Sequence, residues 1–173
     1  MAATVLVREK NGAGETATDK TSGTVRCKNA DNATVDNNNR LIVPASGQEY
    51  SFEKWLRMHI GGTGPAVDIQ NLEFYMDGAN GFGTGVKLWA VNDASYSTPV
   101  VPTETDDPPH HDAVDMNDAF GYTSGSPLVL GAGPFSTINT DMGDYLVLVM
   151  EIEPTASPGS LTPETATFAY DET

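Results

Sequence analysis

The segment DYLVLVMEIE, residues 144–153, decides the fold of this 173-residue chain. Successive side chains of a β-strand point to opposite faces, so alternate positions share one face. The apolar side chains on the first face are Leu146, Leu148, Met150 and Ile152. Val147 and Val149 make the second face apolar too, as in a strand that is covered on both sides. We therefore predict a central strand of a β-sandwich here.

The segment ETATFAYDE, residues 164–172, predicts the last strand of the chain. Ala166, Phe168 and Tyr170 are expected to point inward and the threonines outward, a pattern that suits a half-buried strand. The connection PTASPGSLTP, residues 154–163, is too long for a tight hairpin. We therefore expect the last strand to cross to the facing sheet and to belong to the core.

Gly, Pro, Asn and Asp divide the rest of the chain into short segments, as in all-β domains. Strands are predicted at residues 4–9, 16–18, 24–28, 40–44, 49–60 and 66–78, within 78–91, and at 127–130, with a helical turn at 113–119. A change of phase near Gln70 and Asn71 predicts a β-bulge. The strand that contains this bulge is expected to form a hairpin with the next one.

Residues 49–60, EYSFEKWLRMHI, fit a strand better than a helix because of their aromatic start and the GGTGP break that follows. A strand groups Tyr50, Phe52, Leu56, Met58 and Ile60 on one face, with Lys54 as the exception, whereas a helix would group Phe52, Trp55, Leu56 and His59. The opposite face of the strand is mostly polar. We expect His59 to lie there, at the surface.

These patterns predict an all-β fold: a single-domain antiparallel β-sandwich, jelly-roll-like, with long loops. Residues 1–40 are predicted to form an N-terminal strand or arm followed by a polar loop region rich in Asn, Asp, Gly and Thr. Residues 41–173 are predicted to form the sandwich body. An extended acidic loop with four prolines is expected at residues 92–118.

Acidic residues outnumber basic ones, and the excess lies in the C-terminal half. The chain has nine Lys and Arg against 24 Asp and Glu, a formal net charge of −15. Residues 1–87 contain all nine basic residues and ten acidic ones, whereas residues 88–173 contain 14 acidic residues and no basic one. Such a surface repels phosphate, which argues against nucleic-acid binding. The acidity serves solubility alone, or the acidic half faces solvent while the near-neutral half meets a partner.

The sequence favours a soluble protein made in a reducing cytoplasm. The N-terminal residues MAATVLVREKNG lack a basic region followed by a long apolar stretch, so no signal peptide is predicted. The longest apolar run, around residues 146–150, is too short to span a bilayer, so we expect no membrane contact. Cys27 is the only cysteine, which excludes an intramolecular disulfide and a thiolate metal cluster.

The segment DDPPHHDAVD, residues 106–115, is the best metal candidate, with His110, His111 and Asp112 as the ligands to consider. Adjacent side chains of an extended chain point in opposite directions, so a solvated loop is the favoured interpretation. The segment GYTSGSP, residues 121–127, lacks the glycine-x-serine-x-glycine pattern of a nucleophile elbow. We predict no catalytic residue, no cofactor and no enzymatic activity.

Four segments, taken in order, resemble a group of tailed-phage virion proteins. The group consists of small structural β-domains described as capsid decoration proteins or minor structural proteins. The segments are GQEYSFEKWLRM (47–58), NLEFYMDGANGFGTGVKL (71–88), AFGYTSGSPL (119–128) and GDYLVLVMEIEPTASPGSLTPETATFAYDE (143–172). They cover about half of the chain, and none is a chemical signature.

The resemblance implies a protein of the virion, on the capsid surface, that is made in the host cytoplasm. Its partners would be the major capsid protein and neighbouring copies of itself, in a homotrimer. A cement protein of this type commonly uses a β-sandwich body and a terminal arm that adds a strand to a neighbour's sheet. On that basis the candidate partner-binding residues are Thr4, Val5, Leu6 and Val7.

Two alternatives stay open. The chain could be a connector, a tail protein or another minor virion component of the same fold. It could also be a carbohydrate-binding β-sandwich, for which Trp55 and Trp89 would have to be exposed on one sheet face.

Overall fold

The computed structural model describes residues 4–62, 68–103 and 116–173. Within these ranges the elements are β1 (Thr4–Asn11), β2 (Thr16–Asp19), β3 (Glu49–Tyr50), β4 (Lys54–Gly61), β5 (Ile69–Tyr75), β6 (Val86–Asp93), β7 (Asn117–Asp118), the 3-10 helix η1 (Ala119–Gly121), β8 (Leu128–Gly131), β9 (Thr140–Ile152) and β10 (Thr167–Glu172). Every strand pair is antiparallel. The predicted all-β class is confirmed.

Two sheets pack face to face, which confirms the single-domain β-sandwich. The large sheet has the order β2-β1-β4-β9-β6-β7, and β3 pairs with the end of β9. The small sheet has the order β10-β5-β8. In the described part of the chain the strands thus divide seven and three, and the jelly-roll-like form stays a prediction.

Strand β9 is the centre of the large sheet, as its sequence predicts. It pairs with β4 on one side and with β6 on the other. Its inner face, which includes Leu146, belongs to the main core between the sheets. Its outer face, with Val147 and Val149, belongs to a second cluster that is covered by Tyr96 and Val101 from the segment after β6. A Leu-to-Ala change at such a fully buried position typically costs about 2–5 kcal/mol.

Strand β10 crosses to the small sheet, as the length of its connection predicts. It is an edge strand and only half buried: Phe168 packs on Phe74 with ring centroids 5.8 Å apart, whereas Ala166 and Tyr170 are exposed. The inward orientation expected for Ala166 and Tyr170 is therefore wrong. Ala166 lies before the strand begins, and Tyr170 lies where the register of β10 shifts, between Ala169 and Asp171.

The bulge predicted near Gln70 and Asn71 is present in β5. Asn71 has a φ of +52°, a left-handed conformation that Asn tolerates better than most residues. The register of the neighbouring strand β10 shifts at this point. The extra residue allows Ile69 and Leu72 both to point into the core.

Three local predictions are wrong. The expected hairpin between β5 and β6 does not form, because the two strands belong to different sheets. Residues 24–28 and 40–44 do not form strands. They belong to an irregular segment, residues 20–48, whose Val25, Cys27, Leu41 and Val43 pack against the main core.

The helical turn predicted at 113–119 falls largely outside the described residues. The 3-10 helix η1 begins at Ala119, and the side chain of the preceding Asp118 accepts a hydrogen bond from the Phe120 N–H.

Candidate functional site on the outer face of the large sheet

The structure places the predicted site residues as follows. His110, His111 and Asp112 lie outside the described residues. Thr4, Val5, Leu6 and Val7 belong to β1 and pair with residues 58–61 of β4. From Thr4 onward this segment is therefore a strand of the chain's own sheet, one of the two forms predicted for it. Its role in binding a partner stays a prediction.

The described residues contain no group of three or more His, Cys, Asp or Glu side chains that could hold a metal ion. Among the same residues, no helix is long and apolar enough to cross a membrane. Cys27 packs against the main core, and burial raises the pKa of its thiol to about 11. The thiol is therefore protonated at neutral pH, which agrees with a structural role.

The outer face of β4 is buried, so the surface position expected for His59 is wrong. His59 is 4% exposed and Trp55 is fully buried. Trp55 packs edge-on against Tyr96 and Tyr145, with ring centroids 5.3 and 5.6 Å away. Tyr96 also donates a hydrogen bond of 2.7 Å to the Gly12 carbonyl. Chain segments outside the sheet therefore cover this face, a feature that strand periodicity does not reveal.

A β-bulge in β9 shapes the site. Leu56 pairs with Leu146 and Met58 pairs with Met142, so β9 has two more residues than β4 across this interval. Gly143 lies in the bulge with a φ of +67°, and a Cβ at this position would be 2.5 Å from the Leu130 carbonyl oxygen. Only glycine fits both constraints. Bulges re-aim side chains next to functional sites, and this one turns Tyr145 toward β4.

Six side chains around this bulge form a hydrogen-bonded group, which we call the polar cluster: Lys10, Glu15, Arg57, His59, Asp141 and Tyr145. Lys10 Nζ donates to Glu15 Oε1 at 3.1 Å and to Asp141 Oδ2 at 2.5 Å. His59 Nδ1 lies 2.7 Å from Asp141 Oδ1. The cluster ties β1 and the turn after it to the start of β9.

The bulge side of the polar cluster is built around Tyr145. Its hydroxyl donates to Glu15 Oε1 at 2.6 Å and accepts from Arg57 Nη1 at 2.9 Å. Arg57 Nε also donates to the Gly143 carbonyl at 2.9 Å, and its guanidinium lies 4.4 Å from the centroid of the Tyr145 ring. Arg57 therefore fills the bulge and fixes the ring.

The contacts of the polar cluster shift three pKa values. Burial alone would raise the pKa of Asp141, but the hydrogen bonds from Lys10 and His59 outweigh it and hold that pKa below its ordinary value. Burial would also raise the pKa of Glu15, but hydrogen bonds from Tyr145 and Lys10 outweigh this effect and lower that pKa. Burial, with the Glu15 hydrogen bond, raises the pKa of Tyr145 to about 12. Both carboxylates are thus ionised and the phenol is neutral at neutral pH.

The polar cluster links β1 and the turn after it to β4 and β9. A His–Asp pair is part of a hydrolase triad, where a nucleophile is hydrogen-bonded to the histidine. Here no hydroxyl or thiol among the described residues is bonded to the His59 ring, and the ring is nearly closed to solvent. Asp141 is engaged by Lys10 on its other oxygen. The hydrogen-bonding groups of the polar cluster are therefore paired mainly with one another.

Buried lysines hold the irregular segment against the sandwich. Lys54 Nζ donates to the Asn32 and Ala30 carbonyls at 3.0 and 3.4 Å and lies 3.3 Å from Glu9 Oε1. Lys20 Nζ donates to the Thr24 and Ala33 carbonyls, and Lys28 Nζ donates to the Thr34 carbonyl and to Asp36. These ammonium groups therefore replace the strand pairing that the segment lacks. Lys54 stands out in the sequence as the one charge on an apolar face, but its partners cannot be read from the sequence.

The fold withdraws positive charge from the surface. All nine basic residues lie in the described ranges, and Arg40 is the one that is well exposed. Four of the others are buried: Lys10, Lys20, Lys28 and Lys54. Lys87 is half-buried between Glu151 and Glu153, at 3.2 and 2.6 Å. Three carboxylates are buried as well, those of Glu9, Glu53 and Glu151. Burial therefore removes one more positive than negative charge from the described surface, where the exposed charges are mainly acidic.

Comparison of the chain with known protein families, with curated proteins and with solved structures gave no match. The resemblance to phage virion proteins therefore stays a prediction, and the function has to be argued from the chain itself.

Proposed function

We propose that this chain is a non-enzymatic structural protein of a phage virion, a capsid decoration protein that binds the head shell and stabilises it. The observation that carries the proposal is the use made of the ionisable side chains. Where the described residues bring such groups together, in the polar cluster and around the buried lysines, the groups bond to one another or to backbone carbonyls. These groups stabilise the fold, and none of them is placed as a nucleophile or a general base beside a substrate cavity in the described residues.

The packing of the large sheet also supports a structural role. Its central strands β4 and β9 are buried over most of both faces, by the main core and by the outer aromatic cluster. Its longest loop-like stretch, residues 20–48, is held by buried lysines. A domain built in this way resists local unfolding, because opening requires breaking buried ion pairs and apolar contacts together. Such resistance is what a shell-stabilising protein needs.

The surface charge argues for a protein partner over nucleic acid. A ligand of DNA or RNA presents clustered basic side chains to phosphates. Here the basic side chains are mostly buried or paired, and the exposed charges are mainly carboxylates. The glycan-binding alternative requires Trp55 and Trp89 to be exposed on one sheet face, but Trp55 is fully buried. Trp89 is half-buried, and its Nε1 donates to Glu151 at 2.7 Å.

The direct test is binding to heads. Purified protein is mixed with expanded heads that lack it, and the heads are sedimented and then heated. We expect the protein to sediment with the heads and to raise the temperature at which they release their contents. Protein that stays in the supernatant, with heads that open at an unchanged temperature, would refute the proposal.

A further inference from the structure

The irregular segment, residues 20–48, has one side on the core and one side toward solvent. Four of its apolar side chains pack against the main core: Val25, Cys27, Leu41 and Val43. The residues that alternate with them are Arg26, which is half-exposed, and Arg40 and Ile42, which are exposed. Ile42 has 68% of its surface open to solvent, the largest fraction among the exposed large hydrophobic residues of the described ranges. We call Arg26, Arg40 and Ile42 the segment patch.

Hydrogen bonds hold the two stretches that carry the segment patch side by side. Arg26 Nη2 donates to Asn37 Oδ1 at 3.0 Å, and the Asn29 N–H donates to the Asn39 carbonyl at 2.7 Å. Three buried lysines bond to backbone carbonyls of the segment from the core side. The segment patch is therefore pre-organised, and a partner that binds it pays little of the cost of ordering a loop.

The irregular segment reverses the charge balance of the chain. It contains four Lys and Arg against two Asp, whereas the rest of the chain contains five basic residues and 22 acidic ones. Both of its carboxylates are engaged within the fold. Asp36 pairs with Lys28 Nζ at 3.1 Å, and Asp31 accepts from the Asn11 side chain and the Gly12 N–H at 2.9 and 2.8 Å. The exposed residues of the segment, all of which the structure describes, thus include no carboxylate.

The two guanidinium groups of the segment patch are free of carboxylates within the described ranges. None of the ion pairs there includes Arg26 or Arg40. A guanidinium binds a carboxylate through two parallel hydrogen bonds, so these side chains can recognise one as well as attract it. Arginine is enriched and carboxylates are depleted in the cores of protein interfaces. The segment patch has this composition, and Ile42 adds an apolar contact to it.

We propose that the segment patch is the surface by which this chain docks on the shell protein, and that the matching shell surface carries carboxylates beside an apolar depression. The argument for this occupant is charge complementarity. Apart from Arg40, the exposed ionisable residues of the described ranges are acidic: Asp19, Asp68, Asp77, Asp118, Asp171 and Glu172. A carboxylate-bearing surface is repelled where these residues lie and attracted at the segment patch. Charge therefore selects one orientation on the shell, with the acidic surface turned away from it.

This inference rests on the proposed function and names the surface that performs it. It also favours one of the two explanations of the uneven charge, that the less acidic half of the chain meets a partner. A second copy of the chain is acidic outside as well, so a contact between copies is a separate outcome of the test.

The test measures the Kd of variants for expanded heads that lack the protein, by sedimentation over a range of protein concentrations. Arg40→Gln and Ile42→Asp change the segment patch. Val129→Asp is the matched control, because Val129 is 54% exposed and lies on β8 of the small sheet. Each of the three substitutions makes the net charge more negative by one. We expect Arg40→Gln and Ile42→Asp to raise the Kd about tenfold or more, and Val129→Asp to bind as the wild type does.

Two further measurements accompany these values. Raising NaCl from about 50 to about 500 mM should weaken binding of the wild type more than binding of Arg40→Gln, because the variant has lost a charged contact. The melting temperatures of Arg40→Gln and Ile42→Asp should equal that of Val129→Asp, because all three side chains are exposed and their loss leaves the core intact.

Four outcomes would overturn the inference. Wild-type affinity of both patch variants would do so and would leave the proposed function standing, whereas a wild type that does not bind heads would overturn both. An equal loss of binding in Val129→Asp would show a general effect of added negative charge. Patch variants that bind heads normally but self-associate more weakly than Val129→Asp, measured by sedimentation equilibrium, would assign the segment patch to a contact between copies.

Discussion

Gly143 is the residue on which the geometry of the polar cluster depends. Replacement by Ala would force a left-handed conformation on a residue with a Cβ and would bring that Cβ against the Leu130 carbonyl. We expect Gly143→Ala to lower the free energy of unfolding by about 2–5 kcal/mol, measured by denaturant titration. Gly125→Ala is the control, because nothing lies within 4 Å of its added Cβ, and it should change little. Equal stability of the two variants would contradict this account of the bulge.

Lys54 tests the buried ion pairs at the same scale. Its ammonium and the Glu9 carboxylate are both fully buried. Lys54→Met should cost about 3–5 kcal/mol, because it removes the donor to the Ala30 and Asn32 carbonyls and leaves the buried Glu9 carboxylate with the longer ion pair to Lys20, at 3.6 Å. Adding Glu9→Gln should recover part of this loss, since the remaining side chain is uncharged. The partly exposed Lys87→Met should cost no more than about 1 kcal/mol. A Lys54→Met loss as small as that of Lys87→Met would be inconsistent with the structure.

At the scale of elements, the polar cluster makes the attachment of β1 to β9 sensitive to acid. Asp141 and Glu15 have folded-state pKa values below their ordinary values of 3.8 and 4.5. The unfolded chain therefore binds more protons at low pH, and the stabilisation by these groups is lost as the pH falls from about 4.5 through the folded values. The stability difference between the wild type and Asp141→Asn, measured by denaturant titration, should narrow from pH 7 to pH 3. Comparing the two proteins cancels the titration of the other carboxylates. A difference that stays constant or widens would rule out this role of Asp141.

Strand β10 supplies a second test at this scale. It is an edge strand, but it covers β5 and places Phe168 on Phe74. Removing residues 164–173 would leave β5 paired with β8 alone, and a two-stranded sheet has little independent stability. We expect the shortened chain to lose cooperative thermal unfolding, as followed by circular dichroism. A soluble protein with a sharp transition would show that β10 is dispensable.

Sequence periodicity predicts the elements that bury one or two apolar faces. The outline of β9, the bulge at Asn71 and the crossing of β10 follow from alternation and connection length. The burial of His59 and the packing of residues 20–48 do not, because they depend on which segments lie across the sheet and on lysine–carbonyl contacts between residues far apart in the chain. Polar side chains on one face of a strand predict that this face is exposed to solvent. Here Tyr96 and Tyr145 cover the outer face of β4 instead.

For the whole molecule, the main feature of the sequence is the uneven distribution of charge, and the structure shows where the basic side chains lie. Most basic side chains of the N-terminal half are buried or form ion pairs inside the fold. The surface of this half is therefore not neutral, although its sequence is nearly so. The exposed charges of the described residues are mainly carboxylates.

The proposed function is tested most sharply by the copy number of this chain in purified phage particles, relative to the major shell protein. Quantitative mass spectrometry of such particles gives this ratio. A decoration protein should be present in numbers of the same order as the shell protein. A number matching a single connector or tail ring, or the absence of the chain from the particle, would contradict the proposed function.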